Sequence, residues 1–168
     1  MRAGTQTRRR LRNFRLHVCA PYLGVRAKGL FPPMVILKEE PPNATDFASI
    51  RNAVGWKNPE LLFVQRSIDS SLYWVSLYLD NELVGCGRVI GDNSMFFYIQ
   101  DIIVHPKHQK LGLGSKIMQS INNYLTLNCP PGSTIGLFSA YGKEKFYEKF
   151  GFQTRTGETL GFGMCRFI

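Results

Sequence analysis

The sequence lacks the patterns that mark secreted, metal-binding and membrane-spanning proteins. It contains four cysteines, which are scattered and form no C-x-x-C pair: Cys19, Cys86, Cys129 and Cys165. No histidine stands near them at metal-ligand spacing, so we expect reduced thiols and no bound metal. His105 and His108 form an H-x-x-H, but they flank Pro106 in a turn and have no third ligand nearby. No apolar run approaches the roughly 18 residues needed to cross a membrane.

Acidic residues and serine are absent from the first 33 residues. This segment holds eight Lys or Arg, whereas residues 34–168 hold thirteen basic and twelve acidic residues. Most of the net charge of +9 therefore belongs to the N-terminal segment, and a nearly neutral domain is not expected to bind nucleic acid or a membrane. We interpret residues 1–33 as a dispensable basic extension of a cytoplasmic protein. The alternatives are an organelle-targeting segment, which the lack of serine disfavours, and a nucleic-acid-binding arm.

Two glycines open a helix directly after a long apolar strand. Gln109, Gly112 and Gly114 form the pattern Q-x-x-G-x-G. A dinucleotide-binding fingerprint would need a third glycine at position 117, where Ile117 stands, and the P-loop pattern is absent. The first turn of a helix has unpaired N–H groups that attract anions, and glycine lets a phosphate approach them closely. The loop therefore predicts a phosphate-bearing ligand.

Apolar patterns over residues 34–168 predict one α/β domain. The predicted strands are Val35–Lys38 at the sheet edge, then Tyr73–Leu79, Glu82–Ile90, Met95–Val104 and Ser133–Phe138. Helices are predicted to begin at Asn43, at Asn58 and in the glycine loop, the second of them burying Leu61, Leu62 and Val64. Asp80-Asn81 predicts a hairpin turn. A strand, helix and strand in succession across the glycine loop imply a right-handed parallel crossover in an otherwise antiparallel sheet.

A second motif, KFYEKFGF, occupies residues 145–152. One predicted helix and one predicted strand separate it from the glycine loop. Together the two motifs resemble the GNAT superfamily of N-acetyltransferases, over about Val35 to Ile168. In residues 51–56, 83–88 and 161–164 the chain looks similar to plastid-type serotonin or arylalkylamine acetyltransferases and their bacterial relatives. The resemblance implies a mixed, mostly antiparallel sheet with a parallel strand pair at the cofactor crossover and about four flanking helices. It also implies that Gly151 turns the chain into the last strands.

The resemblance further implies transfer of an acetyl group from acetyl-CoA to the primary amine of a small molecule by direct attack, without a metal. Tyr147 would protonate the departing thiolate. Asp101 is the candidate general base, with a salt-bridged carboxylate at the strand end as the alternative. The implied cofactor-binding residues are Ile102, Ile103, Val104, Gln109, Lys110, Leu111, Gly112, Leu113, Gly114, Ser115 and Tyr147, and the candidate substrate-binding residues are Trp56, Phe97, Tyr98 and Phe162.

Strand geometry complicates the placement of Asp101. Tyr98 and Asp101, three residues apart, point to opposite faces of a regular strand unless a bulge intervenes. GNAT relatives often have a bulge in this strand, so the resemblance implies one here.

The acceptor and the functional class stay open at this level. Aromatic residues near the expected pocket favour an arylalkylamine, while an amino-sugar phosphate, a protein or a peptide is the alternative acceptor. A non-catalytic protein that binds acyl-CoA as a sensor would have the same motifs, because the glycine loop indicates that the cofactor is bound and not that a reaction is catalysed. A homodimer is compatible with either class.

Overall fold

The computed structural model describes His17–Val18 and residues 34–166, and within them a single six-stranded sheet follows chain order. The elements are β1 (His17–Val18), β2 (Ile36–Lys38), α1 (Ala44–Ala53), α2 (Leu61–Asp69), β3 (Tyr73–Leu79), β4 (Glu82–Gly91), β5 (Phe96–Val104), a 3-10 helix (Pro106–His108), α3 (Leu113–Asn128), β6 (Thr134–Gly136) and α4 (Glu144–Glu148). All neighbouring strands are antiparallel except β5 and β6, which are parallel. The predicted α/β class and the parallel crossover are therefore confirmed. No helix in this part of the chain is long and apolar enough to cross a bilayer.

The β3–β4 hairpin turns at the predicted pair, Asp80 and Asn81. Both residues have left-handed backbones, with φ values of 49° and 66°. Two positive φ values in succession match the twist of the flanking strands, which explains why a two-residue turn suffices here.

The sheet separates two hydrophobic cores. On one face, α3 packs Ile117, Met118, Ile121 and Leu125 against strands β3 to β5. On the other face, α1 and α2 pack Phe47, Ile50, Val64 and Ile68 against Trp74, Cys86 and Ile103. Because the two helical layers bury alternate residues of the same strands, the register of each strand decides which side chains face which layer.

Helix α2 begins later than predicted because Asn58 is engaged elsewhere. Its side-chain amide donates to the Ala48 carbonyl at 2.9 Å and to Asn52 Oδ1 at 2.8 Å, so it fastens the loop to α1 instead of capping α2. The helix buries Val64 as predicted, but Leu61 and Leu62 are 50% and 57% exposed. The prediction that these two leucines are buried was wrong.

Strand β2 is not the edge of the sheet. His17 pairs with Leu37 and Val18 with Ile36, so a short strand from the N-terminal segment covers β2 on its outer side. Two residues of pairing give too little alternation to be recognised in the sequence.

Strand β6 forms the opposite edge of the sheet in the described part of the chain. Residues 152–166 contain no helix or strand. The expectation that Gly151 leads into further strands is therefore not met within these residues, although Gly151 does turn the chain with φ of 85°.

Deletion of residues 1–33 should leave the domain folded, since both cores are built from residues after the deletion. Loss of the two β1–β2 pairings should cost about 1–2 kcal/mol, so we expect the melting temperature to fall by less than about 10 °C. Deletion of residues 1–15, which keeps His17 and Val18, is the control. A larger fall that is confined to the longer deletion would show that β1 is an integral part of the domain.

Candidate active site

The chain turns sharply between the end of β5 and the start of α3. Lys110 and Gly112 have left-handed backbones, with φ values of 64° and 76°. Gln109 Nε2 donates to the Val104 carbonyl at 3.0 Å, which ties the turn to the end of the strand. The predicted loop residues are thus brought together in one tight turn, with Gly112 at the position that needs a positive φ.

The N-terminus of α3 has no side-chain cap. The first hydrogen bond into the helix runs from the Lys116 amide to the Gly112 carbonyl at 3.2 Å, so the amides of Leu113, Gly114 and Ser115 lack an intrahelical acceptor. Three unpaired donors at the positive end of a 16-residue helix form a favourable site for an anion.

Strands β5 and β6 pair over only three residues and then diverge. Phe96–Tyr98 pairs with Thr134–Gly136, while β5 continues to Val104. Beyond Tyr98 the β6-facing edge of β5 has no neighbouring strand among the described residues. Ile102, Ile103 and Val104 therefore lie on an open sheet edge that leads directly to the glycine turn.

Helix α4 packs beside the glycine turn and the first turn of α3. Phe146 contacts the first turn of α3: a Cβ added to Gly114 would lie 3.5 Å from Phe146 Cζ. The Tyr147 ring packs against Phe146 at a centroid distance of 5.0 Å and is partly buried. Burial, together with the nearby Tyr98, raises the pKa of Tyr147 above its usual value. Its hydroxyl is therefore protonated at neutral pH and can donate a proton.

A cleft of about 1260 Å³ lies beside α4 and reaches both tyrosines. Its walls include Tyr98, Phe138, Tyr147, Phe162 and Met164, with the ionisable side chains Glu144, Glu148 and Arg155 among the lining residues. Three candidate site residues, Tyr98, Tyr147 and Phe162, are thus brought together around one cleft. Met164 belongs to the segment 161–164 in which the resemblance was noted, whereas Phe138 was not anticipated because it belongs to no motif.

The Tyr98 hydroxyl is buried and has no hydrogen-bond partner of normal geometry. Burial raises the pKa of Tyr98, and the Phe138 backbone acts in the opposite direction. Leaving a buried hydroxyl unpaired costs about 1–3 kcal/mol. Because the hydroxyl has no exposed surface, it is the ring of Tyr98 that lines the cleft.

Asp101 does not have the surroundings expected of a general base. Its side chain is completely buried, and Oδ2 accepts from Arg88 Nε at 2.7 Å while Oδ1 accepts from Arg51 Nη1. With both oxygens engaged and no exposed surface, the carboxylate has no open approach for an amine. The alternative, a salt-bridged carboxylate, is what the structure shows.

The implied bulge in β5 is present at Asp101. Arg88 faces Gln100 and Cys86 faces Ile103, so Asp101 and Ile102 together oppose Gly87. Asp101 has φ of 54°. Before the bulge Phe97 and Ile99 lie in the α3 core, whereas after it Ile103 lies in the other core.

Two further candidate residues lie outside the cleft. Phe97 is only 2% exposed and belongs to the core beneath α3, so it cannot contact a substrate, contrary to the prediction. Trp56 is 36% exposed, and its ring lies 5.3 Å from the Arg51 guanidinium, away from the cleft lining. Sequence reasoning missed Arg51 and Arg88 as partners of Asp101; a charged residue inside the apolar run VGCGRVI was the available signal.

Comparison with known proteins agrees with this geometry. The family model of the GNAT acetyltransferase domain matches residues 69–154. The chain belongs to the GNAT acetyltransferase family. The match spans the β3–β4 hairpin, the glycine turn and α4, and thus the elements that build the site.

Individual relatives support the same assignment. The uncharacterized N-acetyltransferase ycf52 of Gracilaria tenuistipitata var. liui is 32% identical over 116 residues, which are 67% of this chain and 63% of the relative. The chain thus spans less than two thirds of the length of that curated relative. A meticillin-resistant Staphylococcus aureus protein of unknown function is 30% identical and covers 80% of this chain and all of its own, with a TM-score of 0.73. N-acetylglutamate synthase from Neisseria gonorrhoeae, solved with coenzyme A and L-arginine, shares the fold at 17% identity and a TM-score of 0.59, covering 75% of this chain and 29% of its own.

Replacing Gly112 by alanine should weaken acetyl-CoA binding without unfolding the protein. An added Cβ meets nothing within 4 Å, so it would stand in the open space at the helix N-terminus that a phosphate would occupy. Calorimetry with acetyl-CoA measures the affinity, which we expect to fall at least about tenfold, or about 1.4 kcal/mol.

The Gly132→Ala variant is the matched control, because Gly132 has a similar φ of 88°, an equally open Cβ position and no part in the site. Both variants carry the same left-handed strain. Equal affinities in the two variants would place the phosphates elsewhere.

Proposed function

We propose that this GNAT protein is an N-acetyltransferase that transfers the acetyl group of acetyl-CoA to the primary amine of a small molecule by direct attack. The observation that carries the proposal is the uncapped N-terminus of α3 at the end of the open edge of β5, with Tyr147 beside it. Three features therefore follow one another: an anion site at the helix N-terminus, unpaired backbone groups along the edge of β5, and a proton donor at Tyr147.

The residues present fit acetyl-CoA. The unpaired amides of Leu113 to Ser115 suit the pyrophosphate, and the surrounding turn from Gln109 to Gly112 shapes the approach. The open edge of β5 at Ile102–Val104 offers backbone donors for amide groups and for the thioester oxygen. The neighbouring fold solved with coenzyme A supports this assignment by analogy. When bound, the thioester supplies the activated acetyl group.

The protein's own part in the reaction is proton handling. A primary alkylamine has a pKa near 10.4, so most of it is protonated at pH 7 and must lose a proton to water before its nitrogen can attack. As the C–N bond forms and the C–S bond breaks, the nitrogen loses a second proton to water, from which Tyr147 regains the proton that it gives to sulfur. The ring of Tyr98, which lines the cleft, can pack against the apolar part of the amine and hold it there. Tyr147, kept neutral by burial, donates its proton to the thiolate that leaves.

The Tyr147→Phe change should lower kcat on the order of 10²-fold while acetyl-CoA affinity stays nearly unchanged. It removes the donor and keeps the ring that packs against Phe146. Release of free CoA in the presence of an amine measures turnover. Because burial raises the pKa of Tyr147, the wild-type rate should not begin to fall through loss of this proton until the pH exceeds about 10.

The Tyr141→Phe variant is the control, since Tyr141 is a fully exposed tyrosine near the same helix. An unchanged rate in Tyr147→Phe would make Tyr147 a packing residue. Tight acetyl-CoA binding without turnover in the wild-type protein would instead identify a non-catalytic acyl-CoA sensor.

For the acceptor, we propose an arylalkylamine. The aromatic rings of Tyr98, Phe138 and Phe162 line the cleft, and the charged groups there are two carboxylates and one guanidinium. Aromatic walls gain from burying a flat ring, at about 25 cal/mol per Å². The carboxylates suit an ammonium group and oppose a phosphate.

Tryptamine or tyramine should therefore be acetylated with a higher kcat/KM than glucosamine 6-phosphate. A competition assay that contains both acceptors ranks them directly. We expect the Phe162→Ala variant to reduce the preference at unchanged acetyl-CoA affinity, because Phe162 lines the cleft away from the glycine turn. Preference for the sugar phosphate would overturn the aromatic assignment.

A further inference from the structure

The buried carboxylate of Asp101 joins three separate parts of the fold. It lies on β5, and its two partners come from α1 and from β4: Arg51, fifty residues away along the chain, and Arg88. The side chains of Asp101 and Arg88 are 0% and 9% exposed, and that of Arg51 is 19% exposed. Two cations and one anion therefore share a largely dry site, in which each partner is needed to stabilise the others.

Arg88 extends the contact to α2. Its Nη1 donates to the Ser67 carbonyl at 2.9 Å, to Ser67 Oγ at 2.8 Å and to Ser71 Oγ at 3.1 Å. The guanidinium also lies over Trp74, 5.3 Å from the ring centroid. The end of α2 is thus fixed to the same carboxylate as the bulge.

Arg51 extends the contact to the loop between α1 and α2. Its Nε donates to Asn58 Oδ1 at 2.8 Å and its Nη2 to the Lys57 carbonyl at 3.3 Å. The guanidinium lies between the rings of Phe47 and Trp56, at 5.5 and 5.3 Å. This loop is therefore held by the same residue that neutralises Asp101.

The bulge needs such support because Asp101 has an unfavourable backbone. A φ of 54° is strained for a residue other than glycine. The opposing residue is adapted to it: a Cβ on Gly87 would come within 2.5 Å of Ile117 Cγ2 and 2.6 Å of Ile102 Cδ1, so these two side chains fill the space over this glycine. If Asp101 relaxed to an extended backbone, the residues from Ile102 to Val104 would change faces.

We propose that Asp101 is a positioning residue and that, with Arg51 and Arg88, it forms an ionic clamp. The clamp holds the β5 bulge, and through it the backbone of Ile102–Val104, in fixed relation to the α1–α2 loop and the end of α2. The proposal concerns the folded structure itself and rests on the proposed acetyl transfer only for its kinetic consequences. It gives Arg51 and Arg88 a part in the reaction although neither lines the cleft.

Hydrogen exchange of the free protein tests the clamp independently of any activity. The Arg51→Met variant keeps the apolar stem and the Arg88 ion pair but removes the link between Asp101 and the loop. We expect the backbone amides of residues 55–58, 60 and 101–104 to exchange on the order of tenfold faster. The Arg66→Met variant is the matched control, since Arg66 lies on α2 and its guanidinium stacks on the exposed Phe63 ring. Equal exchange in both variants would overturn the proposal.

Kinetics distinguishes positioning from base catalysis. In Arg51→Met, kcat/KM for the amine should fall on the order of tenfold while the affinity for acetyl-CoA stays unchanged. The Arg51→Lys variant should recover part of this loss, because lysine restores the positive charge but not the several N–H donors of the guanidinium group. In Asp101→Asn the loss should reach the order of 10²-fold, with the acidic limb of the pH profile of kcat/KM still present.

Disappearance of that limb would make Asp101 the base and overturn the positioning role. If Asp101→Asn fails to fold, Arg51→Met still decides through exchange. If the wild-type protein acetylates no amine, the proposed function fails while exchange continues to test the clamp.

Discussion

One buried carboxylate constrains the centre of this fold. Asp101 lies without solvent contact between Arg51 and Arg88, and its removal would leave two guanidinium groups without their counter-charge, at a cost of about 3–5 kcal/mol. That penalty is a large fraction of the stability of a typical domain. The side chains around it are therefore strongly held, and so is the left-handed backbone of Asp101 itself.

The bulge at Asp101 and the divergence of β5 from β6 have one combined effect. The bulge changes the face on which later residues of β5 lie, and the divergence leaves the outer edge of the same residues without a partner strand. Open backbone groups inside a sheet are normally avoided. In a member of the GNAT family their position, between an uncapped helix and a protonated tyrosine, supports a role in holding an acyl donor.

The two ends of the proposed site differ in their chemistry. At the glycine turn the groups available to an anion are backbone amides, whose direction is set by α3. The cleft is instead lined by aromatic rings, including that of Tyr98 with its buried hydroxyl, and by two carboxylates and one guanidinium. A phosphate-bearing acyl donor at the glycine turn and an apolar amine in the cleft would match these two ends.

The sequence by itself determined the elements whose signals are local. The turn at Asp80-Asn81, the cap at Asn43 and the glycine loop each depend on residues within a few positions of one another, and all three occur as predicted. Tertiary structure alone decided the partners of Asp101, the full burial of Phe97 beside the half-buried Tyr98, and the pairing of His17–Val18 with β2. Each of these depends on which distant segments meet across the sheet, and a single inserted residue in β5 is enough to reverse which side chains face the core.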